Sequence, residues 1–211
     1  MVDRAILANS TLAVDPLSER RNRHAPVGRC RIQYMEQNVV TFAEYVKLPD
    51  PEERLVLHRG HVVSRPIHTL PECKLKNHIC RVIDEAIHHQ GFVTLSLAYQ
   101  PLPDFELWVA GVGVLSLGRI KATPEDGYLF GAPEVVIEVK GPSISADEIQ
   151  DERELALTTG CHQFWVVDPG DGTVHVTNAN QTVTVYKADV SISLPAPWTD
   201  VAVSVSSIFA K

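Results

Sequence analysis

The residues best suited to chemistry lie in the run from Gly131 to Ser143, GAPEVVIEVKGPS. Its β-branched residues predict a strand, where side chains two positions apart share a face, so Glu134, Glu138 and Lys140 lie together. In an enzyme, the carboxylate could bind a divalent cation and the lysine could neutralise charge developing on a phosphate. In a structural protein, Glu138 and Lys140 would form an ion pair at an exposed strand end. The residues alone leave both interpretations open.

Other reactive residue types give weaker indications. Cys73 and Cys80 lie seven positions apart on one predicted helix without the paired spacing of a structural zinc site, so we expect small core residues. Cys161 directly precedes a predicted strand, and the sequence places no histidine base beside it, which argues against a thiol nucleophile. His68 precedes the same helix, where it could contact a phosphate or be an ordinary loop histidine.

Hydrophobic periodicity predicts the elements that must position these residues. Capping boxes at Thr41 and Ser145 begin two helices, and apolar residues three and four apart predict a third over Glu72–Gln90. Alternating or β-branched runs predict the strands Arg54–His58, His61–Ser64, Phe92–Gln100, Leu107–Leu117, Glu134–Lys140, Phe164–Val167, Thr173–Thr177, Thr182–Lys187 and Ser191–Leu194. This order predicts an α/β fold in which helices flank a central mixed sheet, with additional antiparallel strands at the C-terminus.

Composition and charge limit the classes of protein that remain. With 45% hydrophobic residues among 211, the chain can bury a core, which excludes disorder throughout. Nineteen basic minus 26 acidic residues give a net charge of −7. Residues 1–34 contribute six arginines and three acids, or +3, so residues 35–211 carry −10. Such an acidic body disfavours gripping nucleic acid by charge alone.

The same counts predict the domain organisation and the compartment. We expect residues 1–34 to be a poorly ordered basic extension, or the product of a start assigned too early with translation beginning at Met35, and residues 35–211 to form a single domain. Four cysteines, no leader sequence and no long apolar stretch predict a cytoplasmic, bacterial protein that does not associate with membranes.

Several motifs resemble a widespread bacterial family of putative restriction endonucleases. The segments are Ala132–Ser143 (APEVVIEVKGPS), Gly160–Pro169 (GCHQFWVVDP), Thr41–Val46 (TFAEYV) and Leu55–Val63 (LVLHRGHVV). The resemblance extends from about residue 40 to the end of the chain, and the order and spacing of the motifs make it specific. It implies the restriction-endonuclease-like fold of nucleases with the PD-(D/E)xK signature.

The resemblance also implies roles for individual residues, and this chain departs from several of them. Glu138 matches the second metal-binding carboxylate of the family. Together with Lys140 it forms the Glu-x-Lys motif of the wider superfamily. Gly111 stands where the family has its metal-binding aspartate, Val56 where it has a hairpin glutamate, and Glu152 where it commonly has a helix lysine.

Two hypotheses about function follow. In the first, the chain is a Mg²⁺-dependent DNA endonuclease in which Glu138 binds the metal and Lys140 steadies the phosphate, although its metal site is degenerate. In the second, it is a non-catalytic interaction module with the endonuclease fold, which could act as a homodimer. The acidic body and the missing aspartate favour the second. Neither hypothesis involves a small-molecule cofactor.

Overall fold

A computed structural model describes residues 39–48, 54–88 and 90–210, so the predicted extension at residues 1–34 lies outside the described residues. The helices are α1 (Phe42–Tyr45), α2 (Leu70–Ala86), α3 (Leu117–Ala122), α4 (Ala146–Thr158) and α5 (Val205–Ile208). The strands are β1 (Arg54–His58), β2 (His61–Arg65), β3 (Gly91–Gln100), β4 (Trp108–Ser116), β5 (Leu129–Phe130), β6 (Val135–Val139), β7 (Gln163–Asp168), β8 (Thr173–Asn178), β9 (Val183–Lys187), β10 (Ser191–Ser193) and β11 (Ala202–Ser204).

A seven-stranded mixed sheet organises the fold. Its strand order is β5-β3-β4-β6-β7-β8-β9. The β3–β5 and β6–β7 pairs are parallel, and the other neighbours are antiparallel. Helix α4 connects the parallel strands β6 and β7, as the alternation of strand and helix predicts for a crossover unit. The predicted mixed sheet with flanking helices is therefore confirmed.

Helices cover both faces of this sheet. On one face, Ile79, Ile83 and Ile87 of the α2 segment pack on Val112, Ile137 and neighbouring residues, together with α5 and the β10–β11 hairpin. On the other face, Ile149 and Ala156 of α4 pack around Tyr99, Trp108 and Phe164. Side chains of β6 point alternately to the two faces, so Ile137 packs in the core under α2 and Val136 in the core under α4.

The structure adds elements that the sequence pattern does not predict. Helix α3, strand β5 and strand β11 are each six residues or shorter, which is too short to show a hydrophobic period. The long helix begins at Leu70 and ends at Ala86, where Glu72–Gln90 was predicted. Among the described residues, no helix is long and apolar enough to cross a membrane.

Candidate functional site

Glu138 lies at the point where the ladder between β4 and β6 ends. The last pair of this ladder joins Val112 of β4 to Ile137 of β6, and the next residues along the two strands are Gly111 and Glu138. The backbone N–H of Gly111 donates a hydrogen bond to one carboxylate oxygen of Glu138. Only 2% of Glu138 is exposed to solvent. The residue predicted to bind metal is therefore a buried acid whose first partner is the backbone of its neighbouring strand.

The second oxygen of Glu138 faces a buried lysine from α2. The Lys76 Nζ atom lies 3.4 Å from Glu138 Oε2, and Lys76 is 3% exposed. A Cβ atom added to Gly111 would lie 2.8 Å from both Glu138 Oε2 and Lys76 Nζ. An aspartate at position 111 would therefore collide with the ammonium group as it now lies. The lysine fills the space beside Glu138 that a side chain on β4 would need.

Lys76 also ends a chain of hydrogen bonds through His68 and Ser143. The Ser143 hydroxyl lies 2.7 Å from Glu72 Oε1 and 2.8 Å from His68 Nδ1. A hydroxyl has one hydrogen, so when it donates to the carboxylate it must accept from Nδ1–H of His68. The other ring nitrogen, Nε2, then accepts from the Lys76 ammonium at 3.4 Å. His68, which the sequence left open as a phosphate contact, thus orients Lys76.

Glu72 anchors the far end of this network. Burial works against its charge, but hydrogen bonds from Thr69 and Ser143 outweigh that effect and lower the pKa of Glu72 to about 2. One oxygen closes the capping box of α2 with Thr69, and the other accepts from Ser143. A Cβ atom added to Gly141 would overlap the Glu72 carboxylate, so a side chain at this position would displace the carboxylate from its hydrogen bonds. The network ties α2 to the segment that follows β6.

The predicted contact between Glu138 and Lys140 is wrong. Lys140 Nζ lies 2.7 Å from Asp168 Oδ2, and its side chain is 62% exposed. Strand β6 ends at Val139, which pairs with Val167, so Asp168 is the nearest carboxylate across the ladder. The hydrogen bond to Asp168 raises the pKa of Lys140, and the same bond lowers the pKa of Asp168. Each residue of the Glu-x-Lys motif therefore has its own partner.

Lys140 and Asp168 also line a cavity of about 380 Å³ beside α4. Its apolar wall includes Ile149 and Val166, and Arg153 lies at the same cavity.

Cys161 is buried, and desolvation raises the pKa of its thiol to about 12. This value keeps Cys161 a neutral thiol, as expected of a core cysteine.

Val56 and Glu152, the other two positions at which this chain departs from the resemblance, lie on different elements. Val56 on β1 is 1% exposed and lines a small cavity with Arg65, Trp108 and Glu148. Glu152 on α4 is fully buried and accepts a hydrogen bond of 3.1 Å from the Tyr99 hydroxyl. Burial raises the pKa of Tyr99 well above its usual value, and the nearby charge of Glu152 adds to the increase.

Glu138 and the residues around it do not fit a Mg²⁺ site. Mg²⁺ needs several oxygen ligands, usually including more than one carboxylate. Both oxygens of Glu138 already have partners, a backbone N–H and an ammonium group. Within the described ranges, no three His, Cys, Asp or Glu side chains are grouped so that they could hold a metal ion. The arrangement supplies one charge-compensated carboxylate, and it assigns no ligand set to the metal that the resemblance implies.

Lys76 is the site residue that the sequence prediction missed. Glu72 and Lys76 continue the line of Ile79, Ile83 and Ile87 along α2 with spacings of three and four, and both are buried. A charged residue on the apolar stripe of a helix usually has a buried partner. That signal is present in the sequence, but it does not identify Glu138, 62 positions away, as the partner.

Comparisons with known proteins agree with this architecture. A family model described as "Putative restriction endonuclease" (Uma2) matches residues 42–206. The crystal structure of a putative nuclease belonging to DUF820 from Anabaena variabilis is similar, with a TM-score of 0.70 and 21% sequence identity. That match covers 81% of this chain and 98% of the other. No curated protein matches.

At 21% identity the solved structure supports the fold, whereas the family model matches 165 of the 211 residues, counted from 42 to 206. The nuclease-like fold and the matched motifs together give one conclusion. This chain belongs to the Uma2 family, whose description is putative restriction endonuclease.

Proposed function

We propose that this chain is a non-catalytic member of its nuclease-like family and acts as a binding or interaction module. The observation that carries the proposal is the buried contact of 3.4 Å between Lys76 Nζ and Glu138 Oε2 beside Gly111. The ammonium group supplies a single fixed positive charge. Unlike a metal ion, it has no open coordination position at which to activate a water molecule.

Two positions that depart from the resemblance change the charges that the chain carries there. The resemblance implies an aspartate at position 111 and a lysine at position 152, where this chain has Gly111 and Glu152. Here the cation is Lys76 on α2, and the second acid is Glu152 on α4. Position 111 therefore adds no carboxylate beside Glu138, and the charge that faces Glu138 is the ammonium group of Lys76.

A Mg²⁺-dependent DNA endonuclease is the competing proposal, and membership of the family favours it. In that case Glu138 would have to exchange Lys76 for the metal, and a second carboxylate would have to approach. The charge of −10 on residues 35–211 also weakens non-specific attraction to DNA. We therefore prefer the non-catalytic module.

Incubation of the full chain with supercoiled plasmid in Mg²⁺ or Mn²⁺ tests this proposal. We expect the wild type and Glu138→Ala to give the same background of nicked and linear DNA. The Glu138→Ala variant separates cleavage at this site from a contaminating nuclease, provided that circular dichroism shows it to be folded without the partner of Lys76. Metal-dependent cleavage by the wild type that Glu138→Ala abolishes would establish the endonuclease instead.

A further inference from the structure

One edge of the central sheet is open over most of its length. Strand β3 pairs with β4 along one side, but on its other side only Tyr99 and Gln100 pair, with β5. Among the described residues, no further strand or turn bonds to the outer side of Phe92–Ala98. This stretch therefore offers a row of backbone donors and acceptors to a partner.

Large apolar side chains surround the same edge. The five that define this edge patch are between 37% and 63% exposed, and they are Phe92, Leu117, Ile120, Tyr128 and Phe130. Three of them, Phe92, Ile120 and Tyr128, line one shallow groove together with Leu97 and Leu115. The apolar groove that these side chains form is typical of a surface that another protein covers.

The composition of β3 lacks the features that keep edge strands apart. Its sequence, GFVTLSLAYQ, contains no charged residue and no proline over ten positions. Natural monomers protect exposed edges with such residues or by keeping the strands short. The opposite edge strand, β9, is five residues long and ends in Lys187. Ser96, with a φ of 52°, interrupts the pairing with β4 at one position. The uncharged residues on either side of Ser96 leave the edge open to a partner strand.

We propose that a second copy of this chain covers the edge patch, with β3 of the two copies pairing antiparallel across a two-fold axis. Such a pairing is self-complementary, because each copy offers the same backbone groups that it receives. The two seven-stranded sheets would join into one continuous sheet, and the aromatic side chains of both patches would be buried.

Charges near the edge support a partner of the same sequence. Lys121, Glu125 and Asp126 are exposed in the connection between β4 and β5. A two-fold axis can bring Lys121 of one copy opposite the acidic pair of the other, so the charges attract instead of repelling. This interface does not depend on whether the protein cleaves DNA.

Sedimentation velocity of the full chain over a range of micromolar concentrations tests the proposal. We expect a reversible dimer in the wild type and loss of the dimer in Phe92→Glu/Phe130→Glu. The matched control is Val183→Glu/Val185→Glu on β9, since those valines are 52% and 47% exposed at the opposite edge. This control should remain dimeric, and circular dichroism should show that both variants are folded.

A second readout identifies the contact as strand pairing. Those backbone amides of Phe92–Ala98 that point away from β4 should exchange slowly with deuterium in the dimer and quickly in the monomeric variant. A wild type that stays monomeric at every concentration would overturn the proposal. Dissociation by the β9 control, or equally fast exchange in both states, would also overturn it, because the contact would then lie elsewhere.

Discussion

The pairing of Lys76 with Glu138 makes a prediction at the scale of single residues. Removing one member of a buried ion pair leaves the other charge uncompensated, so Lys76→Met should lower the free energy of unfolding by about 3–5 kcal/mol. The double variant Lys76→Met/Glu138→Gln should recover much of that loss. Urea unfolding of the wild type, both single variants and the double variant measures the coupling between the residues. Additive effects would show that the two side chains do not interact.

The sequence predicted Glu138 but not its partner. Alternation along β6 predicts that Glu138 and Lys140 share a face, because side-chain direction within one strand is a local property. Their partners, Lys76 and Asp168, come from other elements and depend on how α2 and β7 are placed against β6. No local pattern contains that information.

Helix α2 makes a prediction at the scale of elements, through Glu72. Its pKa of about 2 lies below the ordinary 4.5, so the charged carboxylate stabilises the fold above pH 4.5, and this stabilisation is lost as the pH falls towards 2. We expect Glu72→Gln to cost about 2 kcal/mol at neutral pH, because it weakens hydrogen bonds to a charged group.

The pH dependence distinguishes this role from simple packing. The difference in unfolding free energy between the wild type and Glu72→Gln should shrink between pH 4.5 and about 2. Thr69→Ala is a useful companion variant, since it removes the hydroxyl partner of Glu72 and leaves the carboxylate. A difference that stays constant over this pH range would contradict the charged role of Glu72.

Elements with a clear period could be predicted, and short ones could not. The amphipathic stripe found α2 within a few residues, and the Ser145–Glu148 capping box found the start of α4. Strand β5 has only two residues and forms because the chain returns beside Tyr99 and Gln100. Its structure is set by tertiary contact rather than by local sequence.

The N-terminal region makes a prediction at the scale of the whole molecule. Residues 1–34 have little apolar periodicity, so a chain that begins at Met35 should unfold at nearly the same temperature as the full chain. Differential scanning calorimetry of both chains checks this expectation. A decrease in Tm of more than a few degrees, about 1 kcal/mol or more for a domain of this size, would mean that the segment contributes to the fold.

The most direct test of the central claim is whether Glu138 binds metal while Lys76 is present. Electron paramagnetic resonance can follow a titration of the full chain with Mn²⁺, because bound Mn²⁺ loses the signal of the free ion. We expect the wild type to have no saturable Mn²⁺ site that depends on Glu138, so the wild type and Glu138→Gln should give the same titration curve. The variant Lys76→Ala/Gly111→Asp, with folding confirmed by circular dichroism, should gain such a site, because removing the lysine side chain frees Glu138 Oε2 and makes room for a second carboxylate beside it. Saturable binding of Mn²⁺ by the wild type that disappears in Glu138→Gln would contradict the account, since Lys76 would then not replace the metal.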